Sequence, residues 1–246
     1  MNHVRKGLGE RKKNPGISLV VPAHNSGMVI ARSIKKYSIF LSKLSAKYEI
    51  IVVCNACTDN TEQLARRTAR QNKHVRVVSI KERGKGYAIL KGFKSAKYRI
   101  IGFMDADCVF DLNAVAGMLK QLDRHDCVIA SKWLDRHVLK IPEPLTRKVL
   151  AVGWKALTLF LLQMRFHDTQ AGCKFLKKKA FDAIDKNFVC TGFDFDVELL
   201  YKLKRKGFIV KEVYVPLAKI SPFSTFRLKF IPGMFWRMLK LWSKAS

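Results

Sequence analysis

As far as residue 130, short apolar runs alternate with longer stretches in which apolar residues recur at helical spacing. Ile17–Val21, Glu49–Val53, Val75–Ile80, Arg99–Met104 and Cys127–Ala130 are runs of strand length. Met28–Leu44, Thr61–Gln71 and the segments 86–96 and 112–123 read as the helices between them. Strands alternating with helices predict a mainly parallel sheet closed by crossover helices. Such sheets bind ligands beyond the carboxyl ends of their strands. Ala23–Asn25, Cys54–Asp59, Lys81–Gly86 and Asp105–Asp107 all occupy that position.

Beyond residue 140 the pattern changes. Pro142 and Pro144 introduce Leu145–Met164, rich in Leu, Val, Trp and Phe but interrupted by Arg147, Lys148 and Lys155. Its longest charge-free run falls short of the ~20 residues a spanning helix needs. It reads as a buried core helix or as one lying in a membrane interface. Phe223–Ser246 repeats the theme, with Phe230, Met234, Phe235, Met238, Leu239 and Trp242 set among Arg227, Lys229, Arg237, Lys240 and Lys244. Large apolar and cationic residues at helical spacing describe either a membrane-surface helix or a helix capping the domain with a solvated basic face.

Composition narrows the partners. The 246 residues hold 47 Lys and Arg against 19 Asp and Glu, a net charge of +28. Such a chain favours an anionic partner: nucleic acid, an anionic membrane surface or a phosphorylated substrate. With 48% hydrophobic residues it is too apolar for a disordered basic tail. Two such apolar, basic segments in so cationic a chain favour the membrane. Residues 1–16 read as a basic arm with no secretory hydrophobic stretch. The six cysteines are therefore expected as reduced thiols in a cytosolic setting. Cys54 and Cys57 have the spacing of half a zinc site, but no second pair accompanies them.

The chemistry gathers after the strands. Asp105 and Asp107, separated by Ala106, are hard oxygen ligands suited to Mg²⁺ or Mn²⁺, ions that keep positions open for phosphate oxygens. Asp168–Lys174, with its Asp, Gln and Gly, is a second candidate, or else an Asx turn leading into a strand. Gly192–Leu200 alternates acids with apolar residues, as a short strand or as the acidic first turn of a helix. Gly84-Lys85-Gly86 lacks the spacing of a Walker loop, yet two glycines and a lysine before a helix suit a diphosphate.

Taken in order, these pieces resemble the family 2 inverting glycosyltransferases of the GT-A fold, over roughly residues 17–221. Pro22-Ala-His-Asn25, Cys54–Thr61, Arg83–Gly86 and Met104–Asp107 are similar to that family's first-strand turn, second-strand acidic loop, Gly/Lys loop and metal motif. Asp168–Lys174 and Phe195–Leu199 are most similar to the branch that makes dolichyl-phosphate glucose or mannose. The resemblance implies an α/β GT-A fold, a mainly parallel Rossmann-like sheet flanked by helices, at residues 17–221. An interfacial helix at 145–164 and a basic amphipathic C-terminal helix at 222–246 would complete it. It implies a hexosyltransferase that moves a sugar from UDP-glucose or GDP-mannose to dolichyl or polyprenyl phosphate. The enzyme would sit peripherally on the cytoplasmic face of an anionic membrane.

By the same resemblance Asp105 and Asp107 hold Mg²⁺ or Mn²⁺. Pro22, Ala23, Asn25, Asn55, Lys85, Asp105 and Ala106 line the nucleotide-sugar pocket. Asp168 and Gln170 join Asp107 as catalytic residues near the sugar and acceptor, and Lys174, Lys219 and Arg227 meet the acceptor phosphate. Five positions depart from the family pattern: Cys54 and Asn55 replace paired carboxylates, Ser26 stands in place of an acid, Val109 where a metal ligand can occur, and Cys173 in place of Phe. Another lipid or glycan acceptor is the nearer alternative. A nucleic-acid-binding module rests on charge alone, without zinc-finger spacing, RRM aromatics or a clear helix-turn-helix, so no specific nucleic-acid partner is expected.

Overall fold

The computed structural model describes residues 15–134, 145–219 and 228–244. Residues 1–14 of the expected arm, Arg227 and the first part of the expected C-terminal helix lie outside them. Among the described residues, seven strands form one sheet in the order β3-β2-β1-β4-β6-β5-β7. In chain order they are β1 (Ile17–Ala23), β2 (Tyr48–Asn55), β3 (Val75–Ile80), β4 (Ile100–Met104), β5 (Cys127–Ser131), β6 (Cys173–Lys177) and β7 (Val210–Tyr214). Helices α1 (Ile30–Leu44), α2 (Thr61–Arg70), α3 (Lys85–Lys94) and α4 (Leu112–Lys120) follow the first four strands. The later helices are α5 (Leu145–Leu162), α6 (Lys178–Ala183), α7 (Phe195–Arg205) and α8 (Ile231–Ser243).

The continuous apolar runs of β1 and β2 are explained by burial on both faces. Leu19, Val21, Ile50 and Val52 pack with Ile34, Tyr37 and Leu41 of α1 on one side. Val20, Ile51 and Val53 pack on the other with Ile89 and Phe93 of α3 and Leu199 of α7. Each fully buried Leu, Ile or Phe contributes about 1.5–3 kcal/mol, so slipping either strand by one residue would exchange the two faces. Asp111 caps α4, its Oδ1 accepting from the backbone N–H groups of Asn113 and Ala114 at 2.8 and 2.9 Å.

Two features were not legible as strands. β6 runs antiparallel to both β4 and β5, inserted between them, and β7 closes the edge parallel to β5. The alternation of Gly192–Leu200 resolves as helix. Phe195, Leu199, Leu200 and Leu203 are buried with spacings of four, five and eight, a helical face that outweighs the short period-two stretch before it. Among the described residues no helix is long and apolar enough to cross a membrane.

Candidate active site

The carboxyl ends of β1, β2 and β4 open into a cleft of about 910 Å³. Pro22, Asn25, Asn55 and Lys85 line it, together with Asp105, Ala106 and Asp107. Asp168, Gln170 and Lys219 also line it, as do residues of α5 and α8. The loops that carry these residues are tied to one another. Asp105 N–H donates to the Gly172 carbonyl at 3.0 Å, joining the Asp-Ala-Asp segment to the Asp168–Lys174 segment. A β-carbon on Gly172 would come within 1.8 Å of Asp105 Oδ2, so only glycine leaves room for that carboxylate. Tyr37, fully buried on α1, donates its hydroxyl to the Asp105 carbonyl at 2.6 Å from behind.

The Gly/Lys loop is held with equal definition. Gly84 has φ 153°, and a side chain there would meet the Thr191 carbonyl at 2.4 Å. Gly86 N–H donates to that same carbonyl at 2.9 Å. Lys85, the first residue of α3, thereby points into the cleft and meets Asp105 Oδ1 at 2.8 Å and Asp196 Oδ2 at 3.8 Å. Burial alone would lower its pKa, but Asp105 and Asp196 outweigh that and hold it raised, so the ammonium stays charged.

Several residues expected on a ligand serve the framework as well. With its amide oriented to satisfy both neighbours, Asn55 donates to the Ala23 carbonyl at 2.8 Å and accepts from Gly84 N–H at 3.2 Å. It pins the ends of β1 and β2 to the Gly/Lys loop. Asn25, at φ 48°, exchanges two hydrogen bonds of 2.9 Å with Thr58. Ala23 is fully buried and, unlike the other residues of the expected nucleotide set, does not line the cleft. Val109 lines the cleft and accepts from the Ala218 N–H at 2.8 Å, which brings Lys219 alongside.

Lys174 is the main displacement from the sequence-based reading. Expected on an acceptor phosphate, it is 0% exposed on β6, its ammonium 2.6 Å from Asp196 Oδ1 and donating to the Ala171 carbonyl at 2.6 Å. It lies beneath the site, not in it. Cationic groups that do line the cleft include Arg83, Lys132, Lys219 and Arg237. Arg237 of α8 grips the buried Asp194 with Nε at 2.6 Å and a second nitrogen at 3.3 Å. Sequence reasoning placed Arg237 only on a basic helix face and overlooked Lys132.

Asp168 is buried at the cleft wall, with its Oδ1 accepting from Gln170 N–H at 3.2 Å. Its own N–H donates to Glu212 Oε1 of β7 at 2.7 Å, and Glu212 also binds His167. Burial pushes the Asp168 carboxyl above its usual range, against the pull of Lys132 and Lys174. A carboxyl with a raised folded-state pKa favours folding below its ordinary value, about pH 4, and loses that contribution as pH rises through the elevated one. Asp168→Asn is therefore expected to stabilise the protein at pH 7 but not at pH 3.5, in urea titrations at both. A carboxylate that stabilised the fold at neutral pH would give the opposite sign.

Among the described residues no group of three or more His, Cys, Asp and Glu side chains gathers as a metal site. The fit for a divalent cation is thus limited to Asp105 and Asp107, two hard oxygen donors with the cleft before them. That set suits an ion which fills its other positions with water and phosphate oxygens. Cys54 and Cys57 are free thiols, and a hydrogen bond with Cys54 draws the Cys57 thiol down to about 7.

The sequence model described as Glycosyl transferase family 2 matches residues 18–185. A dolichyl-phosphate beta-glucosyltransferase of Drosophila melanogaster is 29% identical over 227 residues, covering 84% of this chain and 70% of that one. Glycosyltransferase AglD of Haloferax volcanii is 24% identical over 231 residues, covering 92% of this chain but only 37% of its own length. Among solved structures, the glucosyl-3-phosphoglycerate synthase of Mycobacterium tuberculosis with Mn²⁺, UDP and phosphoglyceric acid superposes with a TM-score of 0.64 at 20% identity. It covers 92% of this chain and 76% of that one. The same synthase has also been crystallised with Mg²⁺ and UDP. That likeness establishes the architecture, a GT-A fold with a mostly parallel sheet.

Proposed function

The chain belongs to glycosyl transferase family 2, and from that premise we propose that it transfers a hexose from UDP-glucose or GDP-mannose to a polyprenyl phosphate of the dolichyl type. The observation that carries this reading is the mixed lining of the cleft. Strand termini, glycines and Lys85 line it together with large apolar side chains of α5 and α8, among them Trp154, Leu157, Met234 and Phe235. The relatives named for dolichyl-phosphate glucosyl transfer support the same acceptor class.

In this account Asp105 and Asp107 would hold Mg²⁺ or Mn²⁺, which supplies charge neutralisation on the departing nucleoside diphosphate. Pro22 and Asn25 would border the nucleotide, and Lys85 would offer its ammonium to the diphosphate. The acceptor phosphate is anionic at neutral pH, so no strong base is required. Asp168, its backbone held by Glu212, would orient the acceptor with Gln170 beside it. Lys219, which lines the cleft, would meet the acceptor phosphate, a role Lys174 is too buried to fill.

A polyprenyl chain stays in the bilayer, so the enzyme would sit on the cytoplasmic face as a peripheral or monotopic protein. Helices α5 and α8 touch one another and both line the cleft. Phe160 is 84% exposed on α5, and Trp236 is 71% exposed on α8. Each large side chain entering the interface is worth about 2 kcal/mol, and cationic residues add about 1 kcal/mol each near anionic lipid. Replacing Phe160 and Trp236 together by Ser is expected to weaken sedimentation with phosphatidylserine vesicles by at least about a hundredfold. UDP binding should be unchanged; equal loss of both would make these side chains part of the fold.

The reading is tested by incubating the protein with labelled UDP-glucose or GDP-mannose, a divalent cation, and in parallel dolichyl phosphate, diacylglycerol or 3-phosphoglycerate. Label entering the dolichyl phosphate alone is the expected result. Transfer only to diacylglycerol or to the soluble acceptor would replace the proposed acceptor while leaving the fold and family intact.

A further inference from the structure

Four charged side chains of alternating sign run from the protein interior to the cleft floor. Lys174 and Asp196 are 0% and 1% exposed and lie 2.6 Å apart. Asp196 presents its other oxygen to Lys85 at 3.8 Å, and Lys85 reaches Asp105 at 2.8 Å. The Phe103 ring flanks both ammonium groups, at 5.3 Å from Lys85 and 5.4 Å from Lys174. Asp105, at 39% exposure, is the open end of the line. The intervals are unequal. Asp196 spends its close contact on Lys174 and leaves Lys85 to Asp105, so a lysine occupies an oxygen of a carboxylate that a divalent cation would use.

We propose that Lys85 is a displaceable counter-ion of Asp105, kept in place by Asp196 and Lys174, through which the divalent cation and the donor diphosphate bind cooperatively. The inference rests on the reading of Asp105 and Asp107 as the metal pair. A diphosphate entering the cleft offers the Lys85 ammonium new anionic oxygens, and its departure releases Asp105 to the cation. Conversely, a cation on Asp105 drives the ammonium toward the diphosphate. Linkage requires the two effects to be equal in free energy. Asp196 is then a positioning residue: it retains Lys85 at the cleft floor without competing strongly for it. Swinging the long lysine chain between partners requires no backbone change.

The test is Mn²⁺ binding to the full chain, followed by the paramagnetic resonance signal of the free ion, without nucleotide and then with saturating UDP or GDP. Lys85→Met should tighten nucleotide-free Mn²⁺ binding by about tenfold or more, since a like charge beside the cation is gone. The same variant should shrink the enhancement of Mn²⁺ binding that the nucleotide produces. Asp196→Asn should act in the opposite direction, weakening nucleotide-free Mn²⁺ binding, because Lys85 then pairs more firmly with Asp105. A purely structural role for the line would move both variants the same way. Unchanged or weaker Mn²⁺ binding by Lys85→Met, or an undiminished nucleotide effect, overturns the proposal; should Asp196→Asn not fold, those two readings decide it alone. Asp107→Ala serves as the companion variant. If it keeps full Mn²⁺ affinity, the metal pair itself is wrongly assigned and the counter-ion falls with it. Loss of binding in Asp107→Ala with no gain in Lys85→Met defeats the counter-ion alone.

Discussion

Asp107→Ala should reduce hexosyl transfer by about a hundredfold to a thousandfold or more, the range seen when a preorganised charge-stabilising group is removed from a reacting centre. The size follows from the scarcity of ligands. With no cluster of three metal-ligating side chains among the described residues, each carboxylate of the pair would be a large share of what the protein offers the cation. Replacing one leaves the other to hold a divalent ion against water. Initial rates with saturating Mn²⁺ and donor measure the effect, and thermal unfolding beside them shows whether the variant remains folded. Transfer within a few-fold of wild type, in a folded protein, would remove Asp107 from the reaction.

The largest expected effect on stability lies at Lys174. Lys174→Met removes one member of an ion pair in which neither partner reaches solvent. Among the described residues, Asp196 would keep only Lys85 as an ion-pair partner, at 3.8 Å, in a setting with little water to compensate. Breaking such a pair from one side costs about 3–5 kcal/mol, a large part of the 5–15 kcal/mol that holds a typical domain together. Urea unfolding should register that loss as a lower midpoint at an unchanged slope. Adding Asp196→Asn in the same background should return part of it, because the stranded carboxylate is then neutral. A Lys174→Met protein as stable as wild type would mean that the pair contributes nothing to the fold.

How legible the molecule was from its residues follows from which residues had one role. Strands β1 to β5 and helices α1 to α4 were readable because their apolar periodicity has no competing use, and they deliver Asp105 and Asp107 to the end of β4 as expected. Strand β7 hid because Lys211 and Glu212 break its apolar run, and Glu212 is there to hold the Asp168 backbone. Lys174 misled for the opposite reason. A lysine inside a ligand-binding motif invites a phosphate, yet β6 is buried on both faces, so alternation along it gives no sign that this ammonium points inward. The resemblance assigns Asn55 to the nucleotide pocket, where its amide could both donate and accept. The folded chain uses the same amide to join the ends of β1 and β2 to the Gly/Lys loop. Arg237 lies far from the motifs in sequence, and only the fold brings it to Asp194, at the start of α7, and to the cleft.

The measurement that bears most directly on the whole account is a crystal structure of the protein soaked with MnCl₂ and UDP, with anomalous data collected for manganese. A manganese peak is expected at ordinary carboxylate-to-metal distances from Asp105 and Asp107, beside the bound diphosphate. A nucleotide bound in the cleft with manganese absent from that pair, or bound elsewhere on the protein, would contradict it.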